Sequence, residues 1–375
     1  MRALIAMSGG VDSSAAAKLT MDEGYDCIGC TMKLFSSEEE QHTSRTCCSL
    51  DDVEDARRVC GRLGIPYYVF NYQEEFRRQV IDKFVREYLQ GRTPNPCIDC
   101  NRYLKFDALM NRALQLGCEK VVTGHYARIE RDAETGKYIL KKGLDASKDQ
   151  SYVLYSMTQD ELAHTLFPLG AMRKIDVRLL AERNGFVNSH KPDSQDICFV
   201  PNGDYAAVIQ KLSGREETEG DFLDLQGNVI GRHKGITHYT IGQHKHLGQS
   251  FGSKRYVCRI DAETNTVTLG SNEDVCSTDA KAGNMNWIAG QPPSDEFRCK
   301  VKLRYKQQEQ WAVVKTVDNG NKIIMRFDEP QRAVTPGQAA VLYDDDIVLG
   351  GGTLMIGETR SNFDQMIIGI SDMMR

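Results

Sequence analysis

The chain has 375 residues, with 47 Lys and Arg against 52 Asp and Glu for a net charge of −5, and is 41% hydrophobic and 26% charged. This composition excludes collagen-like, coiled-coil and wholly disordered chains and leaves room for two or three domains. No apolar run approaches the length of a membrane span, and Asp12 interrupts what would be the apolar part of a signal peptide, so the expected location is the cytoplasm, with no membrane partner.

Residues 2–7 read as a short buried strand, broken by Ser8-Gly9-Gly10, and 13–23 as a helix. A second strand is expected over 27–34 and a second helix over 52–63, with Val53, Ala56, Val59, Cys60 and Leu63 on one face and Ser49 as its cap. Then come a strand at 67–70, a long helix at 74–89, a helix at 103–116 and a strand at 121–123. Strands alternating with helices predict an α/β domain with a parallel sheet covered on both faces, over residues 1–205. Within it, 130–138 reads as a hairpin turning at 132–137, and 151–162 and 177–183 read as helices. The periodicity then changes. Short strands separated by Gly turns predict a small, mostly β central domain over 206–280. Strands at 299–305, 310–317, 322–327, 339–343 and 346–353 predict a C-terminal β-barrel domain over 281–375.

The string Ser8-Gly9-Gly10-Val11-Asp12-Ser13-Ser14 sits between the first strand and the first helix. Glycines there let backbone N–H groups approach an anion, Ser hydroxyls add donors, and the helix N-terminus adds positive potential. The loop lacks the lysine of the Walker motif and the spacing of the dinucleotide fingerprint. Asp12 inside an anion site makes sense as a Mg2+ ligand bridging to phosphate. The string resembles the signature of the PP-loop ATP pyrophosphatases, which leave an adenylated substrate and release pyrophosphate. Both amidotransferase synthetases and RNA thiolation enzymes share it.

Twelve cysteines are too sparse for a disulfide scaffold and many for a cytosolic chain. Cys60, Cys118, Cys258, Cys276 and Cys299 read as buried small hydrophobes, Cys27 and Cys30 as strand residues, and Cys47 and Cys48 as loop thiols. Thr93-Pro94-Asn95-Pro96-Cys97-Ile98-Asp99-Cys100-Asn101 places Cys100 at the start of a helix, where a thiol ionises more readily. A second polar, turn-rich stretch, 189–199, presents Cys198. Two such thiols suit an attacking and a resolving pair. Cys97, Cys100 and Cys198 also suit an iron–sulfur cluster with one open iron, and Cys97 with Cys100 would begin a zinc site if further ligands were near.

Taken with Lys105-Phe106, Thr123-Gly124-His125-Tyr126, Lys148-Asp149-Gln150-Ser151-Tyr152, Lys191–Phe199, His238–Gln243 and Arg332–Gln338, these motifs resemble the bacterial-type tRNA-specific 2-thiouridylases (the MnmA/TrmU family) over essentially the whole length. The resemblance implies ATP-dependent 2-thiolation of uridine at the tRNA wobble position. Ala6, Met7, Ser8, Gly9, Gly10, Val11, Asp12 and Ser13 would embrace the ATP phosphates, with Met32 and Gly124 against the nucleotide. Cys100 would be the nucleophile and Cys198 the persulfide carrier, the two joining in a catalytic disulfide at the end of the cycle. Asn95, Pro96 and Cys97 would meet the target base. His125, Lys148, Asp149, Gln150, Arg304, Tyr305 and Gln338 would contact tRNA or shape its pocket. Lysine-, glutamate- and glutamine-accepting tRNAs, and a cysteine desulfurase or relay protein as sulfur donor, are also implied. Some family members carry aspartate where this chain has Cys97, which argues against a part for Cys97 in persulfide chemistry.

Residues 231–255 hold five Lys or Arg and four His with no Asp or Glu, and Tyr239 and Phe251 are interleaved, as a phosphate-tracking surface requires. Two other readings compete. A PP-loop ligase needs no sulfur carrier and leaves the cysteine motifs unexplained. A non-enzymatic RNA-binding or iron–sulfur protein leaves the intact Ser8–Ser14 loop unexplained.

Overall fold

The computed structural model describes residues 1–35, 50–193, 197–200 and 203–356. Ser49, Glu38–Glu40, Cys47 and Cys48 lie outside the described residues. The N-terminal domain is built on β1 (Arg2–Ala6), β2 (Asp26–Lys33), β3 (Tyr67–Asn71), β4 (Lys120–Val122) and β7 (Thr165–Leu166), all parallel in the order β3-β2-β1-β4-β7. In β1, Ala3, Leu4 and Ile5 are fully buried, because helices cover both faces. Leu4 joins one apolar cluster with Met32, Phe76, Phe84, Leu104 and Leu109. Ala3 and Ile5, pointing the other way, join a second with Val11, Ala15, Val59 and Cys60. Helix α1 (Val11–Asp22) presses on the sheet through Ala15, Ala16 and Ala17, whose small side chains allow a close approach. The strand order reverses between β1 and β4, so the loop after β1 lies at a switch point, where open α/β sheets bind ligands.

Helix α2 (Leu50–Leu63) buries Ala56, Val59 and Cys60 as expected. The helix read at 74–89 spans 73–89, with a π-helical stretch at Arg77–Ile81. The helix read at 103–116 begins earlier, at Pro96, and runs to Gln115 with a π-helical stretch at Cys100–Ala108. The cause is local: the Asn95 side chain accepts from the Cys97 N–H, and Pro96 takes the first helical position, where its missing N–H costs nothing. The helix read at 151–162 is two pieces. A 3-10 turn covers Ser151–Leu154, and a separate helix covers Gln159–Ala163 because Thr158 and Glu161 form a capping box that starts it afresh.

In the central domain, β8 (Gly220–Leu223), β9 (Val229–His233), β10 (Tyr256–Asp261) and β11 (Thr266–Gly270) form a sheet in the order β10-β11-β8-β9 around Phe222, Tyr239, Val257, Val267 and Leu269. The helix before it, Tyr205–Ser213, packs Tyr205, Val208, Ile209 and Leu212 on the N-terminal domain, with the Tyr205 ring stacked on Tyr88.

The last domain is an antiparallel barrel of β12 (Cys276–Trp287), β13 (Glu296–Lys302), β14 (Gln310–Val317), β15 (Lys322–Arg332), β16 (Ala339–Asp344) and β17 (Ile347–Leu354). Its order is β12-β15-β14-β13-β16-β17, and pairing of β12 with β17 closes it. The hairpin β5 (Ala127–Arg131) and β6 (Tyr138–Lys142) leaves the N-terminal domain to extend this sheet, pairing Lys141 with Ile347. Arg128 to Asp346 at 2.6 Å and Lys142 to Glu309 at 2.7 Å reinforce the join. Barrel and N-terminal domain therefore share one sheet.

Candidate active site

The loop after β1 is shaped by its own hydroxyls. The Ser8 N–H donates to Ser13 Oγ at 3.2 Å, and the Ser13 and Ser14 hydroxyls donate to the Gly10 carbonyl at 3.0 and 3.1 Å. Gly10 caps α1 without a side chain, so no side-chain oxygen stands over the amides that open the helix. Gly9 has φ +72°, and Gly124, at the end of β4, lies so close that a Cβ there would sit 2.8 Å from the Asp12 carbonyl carbon and 2.9 Å from Ser13 N. Gly124 thus keeps a side chain off the start of α1, while Gly9 lets the loop pack against α2 behind it. Asn188, 2% exposed, donates its Nδ2 to the Gly9 carbonyl and to Ser14 Oγ, both at 2.9 Å, while its Oδ1 is buried without a hydrogen-bond partner. An orphaned acceptor beside an anion cradle fits a nucleotide hydroxyl or amino group.

Asp12 is already engaged. Lys174 Nζ reaches its two oxygens at 2.7 and 2.8 Å, and the Tyr126 hydroxyl donates to it at 2.8 Å. Burial, and then the Asp12 charge, push the Tyr126 hydroxyl far above its ordinary pKa, so it stays a donor. The Mg2+ role expected of Asp12 does not fit this arrangement, because both carboxylate oxygens are held by an ammonium. Lys174, with its side chain 11% exposed, also bonds Asp193 at 2.8 Å. Asp193 further takes Lys148 at 2.8 Å and Arg178 at 2.9 Å. Burial alone would raise its pKa, but the hydrogen bonds of Lys148 and Lys174 outweigh it and hold the carboxyl at about 2. Lys191 binds Asp52 and Asp55 at 2.7 Å each and donates to the Gly9 carbonyl at 3.4 Å. The stretch 188–193 is thus fastened to the loop at both ends.

The cysteines reach the same region from two sides. Cys97 is exposed at the second position of its helix. Cys100 lies one turn further in, at the start of the π-helical stretch, and not at the helix N-terminus as the sequence suggested. Cys100 and Cys198 are both half-buried and pack against one apolar cluster, which also contains Met32, Leu4 and Phe199. Among the described residues no three His, Cys, Asp or Glu side chains come together to hold a metal ion.

The barrel closes over this face. Gln338 Nε2 donates to the Thr93 carbonyl at 2.7 Å, and the Thr93 N–H donates to the Pro336 carbonyl at 2.9 Å. The Tyr305 hydroxyl donates to the Asp149 carbonyl at 3.2 Å, and Tyr305 lies near Cys97. Arg304 Nη2 donates to the carbonyls of Ile241 and Ala333 and to Thr335 Oγ1, tying the central domain to the barrel turn. Asp149 accepts from Gly143 N and Ser151 N, and Gln150 Oε1 accepts from Tyr126 N, so both shape the turn. His125 is 7% exposed, bonds Thr123 Oγ1 and packs between Phe106 and Phe167; burial and then Lys105 lower its pKa well below the ordinary value. In the basic stretch, His233 is buried, Arg232 pairs with Asp221, and His238 pairs with Glu217.

Sequence reasoning missed Lys174 and Asn188, which no local motif marks. Lys191 and Asp193 lay inside a motif already noticed, but their partners at Asp52 and Lys174 are remote in the chain.

Three family models match in order: the tRNA methyl transferase HUP domain over residues 1–202, the tRNA methyl transferase PRC-barrel domain over 208–271, and the aminomethyltransferase beta-barrel domain over 277–354. A tRNA-specific 2-thiouridylase MnmA 1 of Thermoanaerobacter sp. (strain X514) is 50% identical over 355 residues, covering 94% of this chain and 97% of that one. The tRNA-specific 2-thiouridylase MnmA of Clostridioides difficile (strain 630) is 48% identical over 353 residues, covering 94% and 98%. Among solved structures, a 4-thiouridine synthetase in complex with RNA and bound ATP aligns with a TM-score of 0.35 at 18% identity, covering 56% of this chain and 53% of that one. With matched domains in the same order and near-half identity along almost the full length of both chains, the chain belongs to the tRNA-specific 2-thiouridylase family.

Proposed function

We propose that the protein is a tRNA-uridine 2-sulfurtransferase that converts the wobble uridine to 2-thiouridine, using ATP and releasing AMP and pyrophosphate. The observation that supports this reading is that Cys100 and Cys198 both pack against the same apolar cluster, with the chain at 188–193 fastened to the loop after β1. A PP-loop ligase has no use for that pair of thiols.

A uracil C2 oxygen is a poor leaving group. Its attack on the α-phosphorus of ATP forms an O–P bond, breaks the bond to pyrophosphate and turns the oxygen into part of AMP. The amides of Gly9, Gly10 and Val11, with the Lys174 ammonium, take up charge developing on the phosphate oxygens. A magnesium ion accompanying ATP would supply further charge neutralisation, but Asp12 is not its ligand in this arrangement. The outer sulfur of a Cys198 persulfide then attacks C2, and the C2–O bond breaks to release AMP. The Cys100 thiolate attacks the Cys198 sulfur, leaving the transferred sulfur on C2 and forming a Cys100–Cys198 disulfide. An external thiol reduces that disulfide before the next cycle. Asn95, Pro96 and Cys97 border the base, and Tyr305, Gln338 and Arg304 close the pocket from the barrel. The anticodon loop offers a base that is readily splayed out.

The divisions 1–205, 206–280 and 281–375 then act as catalytic, RNA-guiding and covering parts. The acceptors are the lysine, glutamate and glutamine tRNAs, the sulfur donor is a cysteine desulfurase or a relay protein, and the setting is the cytoplasm.

The test is Cys198→Ser. The variant is expected to lose 2-thiouridine formation while retaining tRNA binding and ATP-dependent pyrophosphate release. Normal thiolation by the purified variant overturns the sulfur-carrier assignment.

A further inference from the structure

The barrel wall has a covered side and a bare side. On β13 and β14, Cys299, Val301, Ala312 and Val314 point inward to the barrel core, so Arg298, Lys300, Lys302, Trp311 and Val313 point outward. On β16, the residues in register with Lys300 and Lys302 are Tyr343 and Val341, fully buried against the N-terminal domain. On β14, the residue in register with Lys300 is Trp311, which is 45% exposed, with Val313 beside it at 38%. The outward row of β13 therefore runs along the border between the two sides.

That row places three cations over about 13 Å. Arg298 and Lys300 each stand 5.2 Å from the centre of the Trp311 ring. Asp328 holds Arg298 at 3.1 and 2.5 Å, and Lys300 lies 4.0 Å from Asp345, whose side chain is almost wholly in solvent. Lys302 differs. Its half-buried ammonium lies 6.0 and 5.9 Å from the ring centres of Tyr152 and Tyr305, and among the described residues no carboxylate comes within ion-pair distance of it. Burial lowers its pKa, and Asp149 and Glu309 act the other way from beyond that distance. A cation taken partly out of water without a partner is costly until an anion reaches it. Tyr305 also lies near Cys97, so the row starts at the mouth of the pocket.

We infer that this border is a second contact for the RNA substrate, in which Lys302 takes a backbone phosphate beside the target nucleotide and Trp311, flanked by Arg298 and Lys300, stacks an unpaired base further along the strand. A tryptophan face accepts any base, and cations beside it draw the backbone, the combination that holds single-stranded RNA. A protein partner is met by a patch whose centre is poor in charge, whereas here each outward residue of β13 from Arg298 to Lys302 is a cation. An anticodon loop carries unpaired nucleotides on both sides of the target uridine, and a row leaving the pocket along β13 meets them in turn. The inference rests on the tRNA reading, but its test is RNA binding and not turnover.

The probe is an unmodified RNA stem-loop carrying the anticodon, titrated into the full-length protein. Of the two tryptophans, Trp287 is buried and bonded to the Gly320 carbonyl, so a change in emission reports on Trp311. The stem-loop is expected to quench that emission and to shield it from acrylamide. Trp311→Ala is expected to weaken binding about tenfold with the salt dependence unchanged, and Trp311→Phe, which keeps an aromatic face, to recover most of the loss. Lys302→Met is expected to weaken binding and to lower the slope of log affinity against log salt by roughly one, and Lys302→Arg to keep both. The emission measurement needs no variant, so it decides even where a substitution disturbs the fold. The inference is overturned by emission that the stem-loop leaves unchanged, or by either Trp311→Ala or Lys302→Met binding the stem-loop with unmodified affinity, which would leave this face to a protein partner. A protein that binds no tRNA removes the proposed function as well; one that binds it with both positions indifferent removes this contact alone.

Discussion

Gly9 and Asp52 meet backbone to backbone: a Cβ on Gly9 would lie 2.6 Å from the Asp52 Cα and nearer still to its carbonyl oxygen. Helix α2 therefore acts as a wall behind the nucleotide loop, and Lys191 holds that wall by binding Asp52. Gly9→Ala adds a clash with backbone to a φ of +72°. The expected cost is about 2–4 kcal/mol of stability in urea unfolding. ATP-dependent pyrophosphate release should fall more steeply than tRNA affinity, since the loop must deform to accept the methyl group. Equal stability and unchanged pyrophosphate release would mean that the loop is not held by α2.

Asn95 sets where the Cys97–Cys100 helix begins. Its side chain accepts from the Cys97 N–H at 3.1 Å. Asn95→Ala is expected to lose about 1 kcal/mol, and Asn95→Asp to keep nearly all of it, because aspartate caps equally well. The check is chemical denaturation of the three proteins side by side. If the aspartate variant were as unstable as the alanine variant, the cap would not be the source of the effect.

Much of this was legible where the signal was contiguous. Ser8–Ser14 declared an anion loop because glycines, hydroxyls and a helix start fall together in seven residues. The helix expected at 103–116 begins instead at Pro96, because Asn95 caps it and a proline at the first helical position costs no hydrogen bond. Contacts between distant residues left no such trace. Lys174 meets Asp12 across 162 positions, and nothing around Lys174 distinguishes it from an exposed helical lysine. The stretch 130–138 reads as a hairpin, yet it is silent on which sheet edge the hairpin joins, so its pairing with β17 was not foreseen. Burial of His125 between Phe106 and Phe167 was hidden in the same way, because a polar residue type carries no sign of the rings that cover it.

That buried His125 makes stability depend on pH. Its pKa is lowered in the fold, by burial first and by Lys105 second. The unfolded chain therefore binds a proton near the ordinary value of about 6.5 that the folded chain refuses. Its contribution is fully present above that pH and is lost as pH falls below it, by up to about 1.4 kcal/mol per pH unit. Urea unfolding at pH 7.5 and pH 5.5 should show a loss in the unmodified protein that is smaller in His125→Asn. Identical pH slopes in the two proteins would show that His125 titrates freely.

Arg304 separates a pocket-shaping role from a phosphate contact. One guanidinium nitrogen serves Ile241 and Ala333 carbonyls and the Thr335 hydroxyl, and burial, followed by Arg332, lowers its pKa. Arg304→Met removes the donor to the Ile241 carbonyl and leaves the Ala333 carbonyl with the Thr335 hydroxyl alone, and should cost about 1–2 kcal/mol in unfolding experiments. Arg304→Lys should recover only part of that, because an ammonium does not reproduce the planar fork. Both variants should bind tRNA more weakly, since the turn carrying Gln338 loosens. The salt dependence of binding distinguishes the cause: a lost phosphate contact lowers the slope of log affinity against log salt by roughly one, whereas a loosened pocket leaves it unchanged. The unchanged slope is expected, because the guanidinium is already turned inward onto the protein's own carbonyls.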